Sequence, residues 1–401
     1  MKRFVVLCLL AAAAQFAYAD VYVLESHTVA AAQAAAAKKP GVAGAHAAPG
    51  NLAATNAHVA KPGDKRHGVP LGSLAPLATG SQALVDLSGL KYFINTNITF
   101  STSSSASGAM SEASYTHAVA ATTLNGGTTA STLNDTFDGY NTMCLSLDNS
   151  VATCETGNAN FAIYNKNGPA TTECTGATSG VNRQVVFPTQ TSGSIAMSRK
   201  VFVPDNDSFA RWLNYFTNTG ATAQTVTMVV ANNLGSDSNT IITNSSTGST
   251  ASPFNDASAT WVSTFQNYSG TTSSDPRQAA VLQGPGATVP LAGINFANGD
   301  DNPFWGYTFT LQPGQTGIIA NFVAVAPSKA AAAAKAASLV SLPANTLQCM
   351  TPAEQGQLLN FAVAPPAPPV PTPGPGNLAL GLLIALLVAL GLLSLRPRWQ
   401  Q

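Results

Sequence analysis

Three kinds of hydrophobic pattern follow one another along the chain. Near the start, Phe4 to Ala14 is an apolar run behind Lys2 and Arg3. Near the end, Leu378 to Leu395 is an 18-residue run without a charge. Between them, from Ser81 to about Val363, short runs rich in Val, Ile, Thr, Phe and Tyr alternate with clusters of Gly, Asn, Asp and Pro. This punctuation predicts strands at Lys91–Phe100, Arg183–Phe187, Ile195–Val203, Phe209–Thr217 and Gln224–Val230. Later strands are predicted at Trp261–Gln266, Ala279–Leu282, Phe304–Leu311 and Thr316–Val325. Period-two alternation puts Ile195, Met197, Val201 and Val203 on one face, interrupted by Arg199. Many close strands without intervening helices predict an all-β fold, a large antiparallel β-sandwich. A stretch of about 280 residues can bury roughly 70–75% of its unfolded surface in one core.

Two short helices should close this domain. Ser328 is placed to cap an Ala-rich helix ending before Pro343. Thr351-Pro352-Ala353-Glu354 matches a capping box with proline at the first helical position. Leu358, Leu359 and Phe361 then follow, positioned to pack back on the sheet.

The terminal patterns carry information about location. A basic start, an apolar stretch too short to span a bilayer and the small residues of Ala17-Tyr18-Ala19 predict a signal peptide over 1–19, cut between Ala19 and Asp20. Residues 20–80 are rich in Ala, Gly, Pro and Lys, and are expected to be a mostly disordered linker before the ectodomain at 81–363. A proline-rich spacer covers 364–377. The apolar run at 378–395 would make about 27 Å of helix, close to the thickness of a bilayer core. The basic tail at 396–401 carries Arg396 and Arg398, so the expected orientation leaves it in the cytoplasm and the domain outside. A single transmembrane helix would thus anchor an exported protein in the cell envelope.

The order of proline motif, hydrophobic helix and basic tail resembles bacterial sorting signals of the PEP-CTERM and IPTL-CTERM kind. Val370-Pro371-Thr372 parallels the start of the Ile-Pro-Thr-Leu version, with Pro373 in place of the leucine. The resemblance implies a membrane sorting protease as a partner. A plain membrane anchor is the alternative.

Only 9% of the residues are charged and the net charge is zero, so nucleic acid is not an expected partner. Signal removal would take Cys8 and leave Cys144, Cys154, Cys174 and Cys349. An even number in an exported chain predicts two disulfides. Three pairings are open. The turn at Asp148-Asn149-Ser150 favours a cross-strand bridge from Cys144 to Cys154, leaving Cys174 for Cys349.

Several runs resemble an uncharacterised module of large bacterial and archaeal secreted proteins. They include Leu133-Asn134-Asp135-Thr136-Phe137-Asp138-Gly139, Ser198-Arg199-Lys200-Val201-Phe202-Val203-Pro204 and Phe209-Ala210-Arg211-Trp212-Leu213. Asn360-Phe361-Ala362-Val363 closes the match. The resemblance implies a two-sheet supersandwich of the galactose-mutarotase type and no particular activity.

Candidate chemistry is sparse. His117 is the sole histidine of the ectodomain and Glu155 or Glu173 the carboxylates an epimerase or lyase would need beside it, but nothing maps onto such a pair and no catalytic residue is assigned. No other cofactor being indicated, calcium is the best site reading, because oxygen ligands suffice. Asp205 and Asp207, and Asp300 and Asp301, lie in oxygen-rich stretches that ordinary turn chemistry also explains. Trp305, beside Pro303 and Gly306, is the tryptophan best placed to reach a surface and stack on a sugar, although a core position is favoured. The expected function is non-enzymatic binding or structure, with cell-surface polysaccharide as a partner. Carbohydrate-active enzyme and calcium-stabilised adhesin are the alternatives.

Overall fold

A computed structural model describes residues 81–96, 106–116, 133, 136–154, 159–165, 170–266, 275–363, 381–388 and 390. The chain divides into two compact units, Met1–Phe361 and Ala362–Gln401. The first unit is all-β. Its strands are β1 (Ser81–Val85), β2 (Leu90–Asn95), β3 (Met110–Tyr115), β4 (Thr142–Ser146), β5 (Phe161–Ile163), β6 (Thr171–Thr175), β7 (Asn182–Ser192) and β8 (Ile195–Phe202). They continue as β9 (Ala210–Asn218), β10 (Gln224–Ala231), β11 (Thr240–Ser245), β12 (Trp261–Gln266), β13 (Arg277–Val281), β14 (Leu291–Ala297), β15 (Asp300–Leu311) and β16 (Thr316–Ala326).

Three antiparallel sheets result. The orders are β1-β2-β3, then β14-β15-β10-β4-β5, then β11-β12-β13-β16-β9-β8-β7-β6. Their inner faces share one core. Met197 and Val201 of β8, Trp212 and Phe216 of β9, Val226 to Val230 of β10 and Trp305 to Phe309 of β15 contribute alternate side chains to it. This is the period-two pattern of strands with one face turned inward.

The central strand β16 is buried along nearly its whole length, so both of its faces are covered. The outer cover is helix α1 (Lys329–Leu339), which lies against β12, β13 and β16. Ser328 caps it through its side chain, and Ala332, Ala336 and Leu339 form its buried stripe. Small alanines let the helix approach the sheet closely. The shorter α2 (Pro352–Gly356) opens with the expected capping box between Thr351 and Glu354. Leu358 then bridges to Ile318, and the Phe361 ring meets Phe322 edge-on at 5.5 Å.

Both disulfides join the favoured pairs, Cys144–Cys154 and Cys174–Cys349. One detail differs from expectation. Cys144 lies on β4, but Cys154 lies in the β4–β5 connection rather than on a strand. Asp148 Oδ1 accepts from the Ser150 amide and from the Ser146 and Ser150 hydroxyls, which turns the chain back. The loop folds over the outer face of the sheet, where Cys154, Val151 and Ala152 pack on Val229 and Ala231. The second bridge spans 175 residues and ties edge strand β6 to the segment before α2. On the loop-entropy model such a long closure is worth about 5 kcal/mol.

In the second unit, residues 381–388 are helical, with Leu382, Leu383, Ile384, Leu386, Leu387 and Val388 exposed. Among the described residues, no helix is long and apolar enough to cross a membrane. The rest of 378–395, apart from Leu390, lies outside the described residues. So do Ala19, Asp20, Val370, Pro371, Thr372, Arg396 and Arg398.

Candidate functional site

The centre of the sandwich carries a row of buried polar side chains, and Arg199 begins it. The alternation of β8 that turns Met197 and Val201 inward must turn Arg199 inward as well. Arg199 is fully buried. Its Nη2 donates to Asn141 Oδ1 at 2.7 Å and to Asn214 Oδ1 at 2.9 Å, and its Nη1 to the Ser107 carbonyl at 3.1 Å. Asn214 is its cross-strand partner on β9. The row continues on β16, where Asn321 donates to the Tyr307 hydroxyl at 2.9 Å. Tyr307 in turn donates to the Leu282 carbonyl at 2.6 Å.

Burial pushes the Arg199 pKa down to about 9, so it remains a cation at neutral pH. Neutral oxygens, rather than a carboxylate, hold it among the described residues. Unscreened charge in a core is costly, and hydrogen bonds of this kind reduce the cost without cancelling it.

Two segments close over the row. Gly108 has φ of 72° and takes the Trp212 indole N–H on its carbonyl at 2.8 Å. A Cβ there would stand 2.8 Å from Arg199 Cδ, so only glycine fits. From the other side Tyr140 inserts its ring between the sheets, 5.3 Å from Trp212 and 6.2 Å from Trp305. Trp305 is fully buried and lies parallel to Phe296 at 5.9 Å, so it presents no face to a sugar. It stands on β15, which begins already at Asp300. The oxygen-rich stretch around Asp300 and Asp301 is the end of the β14–β15 hairpin, turning at Asn298 and Gly299.

A second polar assembly lies on the opposite face of the same sheet. Arg211, next to inward Trp212, points outward and is buried beneath the C-terminal segment. Its guanidinium donates to the carbonyls of Thr346 and Gln348 and to Gln184 Oε1, over the Phe202 ring at 4.6 Å. Nearby, Lys200 pairs with Glu173 and Glu354, at 2.9 Å each, and the Tyr215 hydroxyl donates to Glu354 at 2.6 Å. Burial opposes ionisation of Glu354, but Tyr215, the Thr351 amide and Lys200 outweigh it and lower its pKa. Asn360 completes the closure, receiving the Ala320 amide and donating to the carbonyls of Leu282 and Ala320.

The four candidate calcium ligands are engaged elsewhere. The Asp205 carboxylate accepts the amides of Ala177, Thr178 and Ser179 from the β6–β7 turn. Burial works against its ionisation, yet the side-chain and backbone hydrogen bonds of Ser179 and Thr178 hold its pKa well below the usual carboxylate range. Asp207 takes an ammonium, that of Lys335. Asp300 accepts the amide and side chain of Asn302, and Asp301 the side chain of Asn302. Among the described residues, no group of three or more His, Cys, Asp or Glu side chains gathers as a metal site. His117 and Glu155 lie outside the described residues.

Sequence periodicity flagged Arg199 alone. Asn214, Asn321 and Asn360 gave no comparable signal, although each polar residue at a core-facing or segment-closing position is a departure from the pattern around it.

No protein-family profile matches the chain, and no curated protein matches it. Among solved structures, a protein of Synechocystis sp. PCC 6803 is similar at 8% identity and a TM-score of 0.35, over 62% of this chain and 96% of that one. A galactose mutarotase-like protein from Lactobacillus casei ATCC 334 is similar at 9% identity and a TM-score of 0.32, over 61% and 100%. A polysaccharide lyase is similar at 13% identity and a TM-score of 0.33, over 65% of this chain and 34% of that one. The chain thus spans about a third of the lyase. Likenesses this low do not bear on activity, and the all-β sandwich rests on its own strand pairing.

Proposed function

We propose that the chain is an exported cell-envelope protein whose β-sandwich works by binding or by structure, held to a membrane by its C-terminal apolar segment. The observation that carries this reading is the pairing of all four cysteines that signal removal would leave. Stable disulfides form in oxidising compartments outside the cytoplasm. The bare apolar side chains from Leu382 to Val388 give further support, because lipid would cover what water cannot. A non-catalytic role is supported by the use of the inner polar row. Its arginine, asparagine and tyrosine side chains hold strands and plugging segments together.

The ligand class in this proposal is cell-surface polysaccharide. The test is retention of the purified ectodomain on cell-wall and exopolysaccharide fractions. Retention that soluble polysaccharide competes away is expected. Passage through both fractions without delay would remove the polysaccharide partner from the proposal.

A further inference from the structure

The β8–β9 connection brings an amine and a carboxamide against the two oxygens of one carboxylate. Lys335, from α1, donates Nζ to Asp207 Oδ1. Asn345, from the turn that follows α1, donates Nδ2 to Asp207 Oδ2 at 2.9 Å. The Asp207 carbonyl also accepts the Leu87 amide, and its Oδ1 the Ser208 amide, so the carboxylate is fixed in place. The side chains of Lys335 and Asp207 are 24% and 16% exposed, so the pair is partly shielded from water. The buried Phe209 ring lies 5.5 Å from Nζ and walls one side.

A nucleophile and an acyl group thus hydrogen-bond to the two oxygens of one proton carrier, so no external reactant is needed. We propose that Lys335 and Asn345 form an intramolecular amide cross-link, with Asp207 as the proton carrier. Asp207 takes a proton from the ammonium, and the freed Nζ lone pair adds to Cγ of Asn345. Asp207 relays that proton to Nδ2 and receives the second proton of Nζ. The Cγ–Nδ2 bond breaks, ammonia leaves, and it departs as ammonium with the proton from Asp207. Asn345 is the acceptor rather than Asp207, because an ionised carboxylate repels the incoming electron pair, whereas the neutral carboxamide does not. The bond would lock α1 to the turn that leads into the Arg211 clamp. The inference is independent of export and of any ligand.

The test is a tryptic map of the reduced full-length protein by mass spectrometry. Trypsin needs a free lysine side chain, so the expected result is no cleavage after Lys335 and a peptide lighter by one ammonia that contains both residues. Lys335→Arg keeps the charge and should restore both the cleavage and the full mass. Cleavage after Lys335 in the wild type at full mass would overturn the proposal. So would an ammonia loss accompanied by that cleavage, which marks cyclisation of Asn345 alone. A cross-link to Asp207 with loss of water would overturn the assigned acceptor.

Discussion

Replacing Asp86 with asparagine should flatten the dependence of stability on pH near neutrality. Asp86 sits in the β1–β2 turn, 5% exposed. Its Oδ1 accepts the Ser88 amide, the Ser88 hydroxyl and the Leu90 amide, and its Oδ2 the Tyr92 hydroxyl. Burial raises its pKa from 3.8 to about 7, outweighing the hydrogen bonds that favour the charged form. The folded state therefore holds a proton that the unfolded chain releases above about pH 4. Stability contributed by this group is fully present below the unfolded pKa and is lost as pH rises to the folded one. A gap of about three pKa units corresponds to about 4 kcal/mol, of which about 3 kcal/mol falls between pH 5 and pH 8. Asp148, Asp205, Asp256 and Glu354 have lowered pKa values, so their contributions are lost only on acidification. Asp86→Asn keeps the Oδ1 acceptor and can offer Nδ2 to the Tyr92 oxygen. Urea denaturation near pH 5 and near pH 8 is the assay. The wild type should lose about 3 kcal/mol across that interval and the variant much less. An equal loss in both proteins would refute the reasoning.

Two further outcomes follow from the same contacts. Glu354→Ala removes the capping box of α2, the acceptor of Tyr215 and one of the two carboxylates on Lys200, and should cost about 2–3 kcal/mol in urea denaturation. A chelator should leave the melting temperature unchanged, because Asp205, Asp207, Asp300 and Asp301 already have protein donors.

The parts of the fold legible in the sequence are those written in local patterns. Alternation located β8, β9, β10, β12, β15 and β16, and the residues around Ser328 and Thr351 located both helix starts. Strands β1, β3, β4, β5, β6, β11 and β14 were not among the predicted runs, and each is seven residues or shorter. In addition, β4 is buried at every position and β6 carries exposed threonines on both sides, so neither alternates. The turn between Cys144 and Cys154 pointed to the right partner, but not to a loop lying across the sheet face. The roles of Asp205 and Asp207 were hidden for another reason. Their partners, the Ala177–Ser179 turn and Lys335, are remote in sequence, and only the folded chain places a turn of amides or an ammonium where a metal ion was expected. Three of the runs that resemble the secreted module, those with Arg199, Arg211 and Asn360, each carry a buried clamp. Arg199 and Arg211 act on opposite faces of one sheet, and Asn360 secures the final segment.

Export is the central claim, and cell fractionation with mass spectrometry of the mature termini and of unreduced cysteine peptides tests it most directly. The account predicts a chain that begins at Asp20, sits in the envelope and carries Cys144–Cys154 and Cys174–Cys349. A soluble cytoplasmic chain with Met1 retained and four free thiols would contradict it.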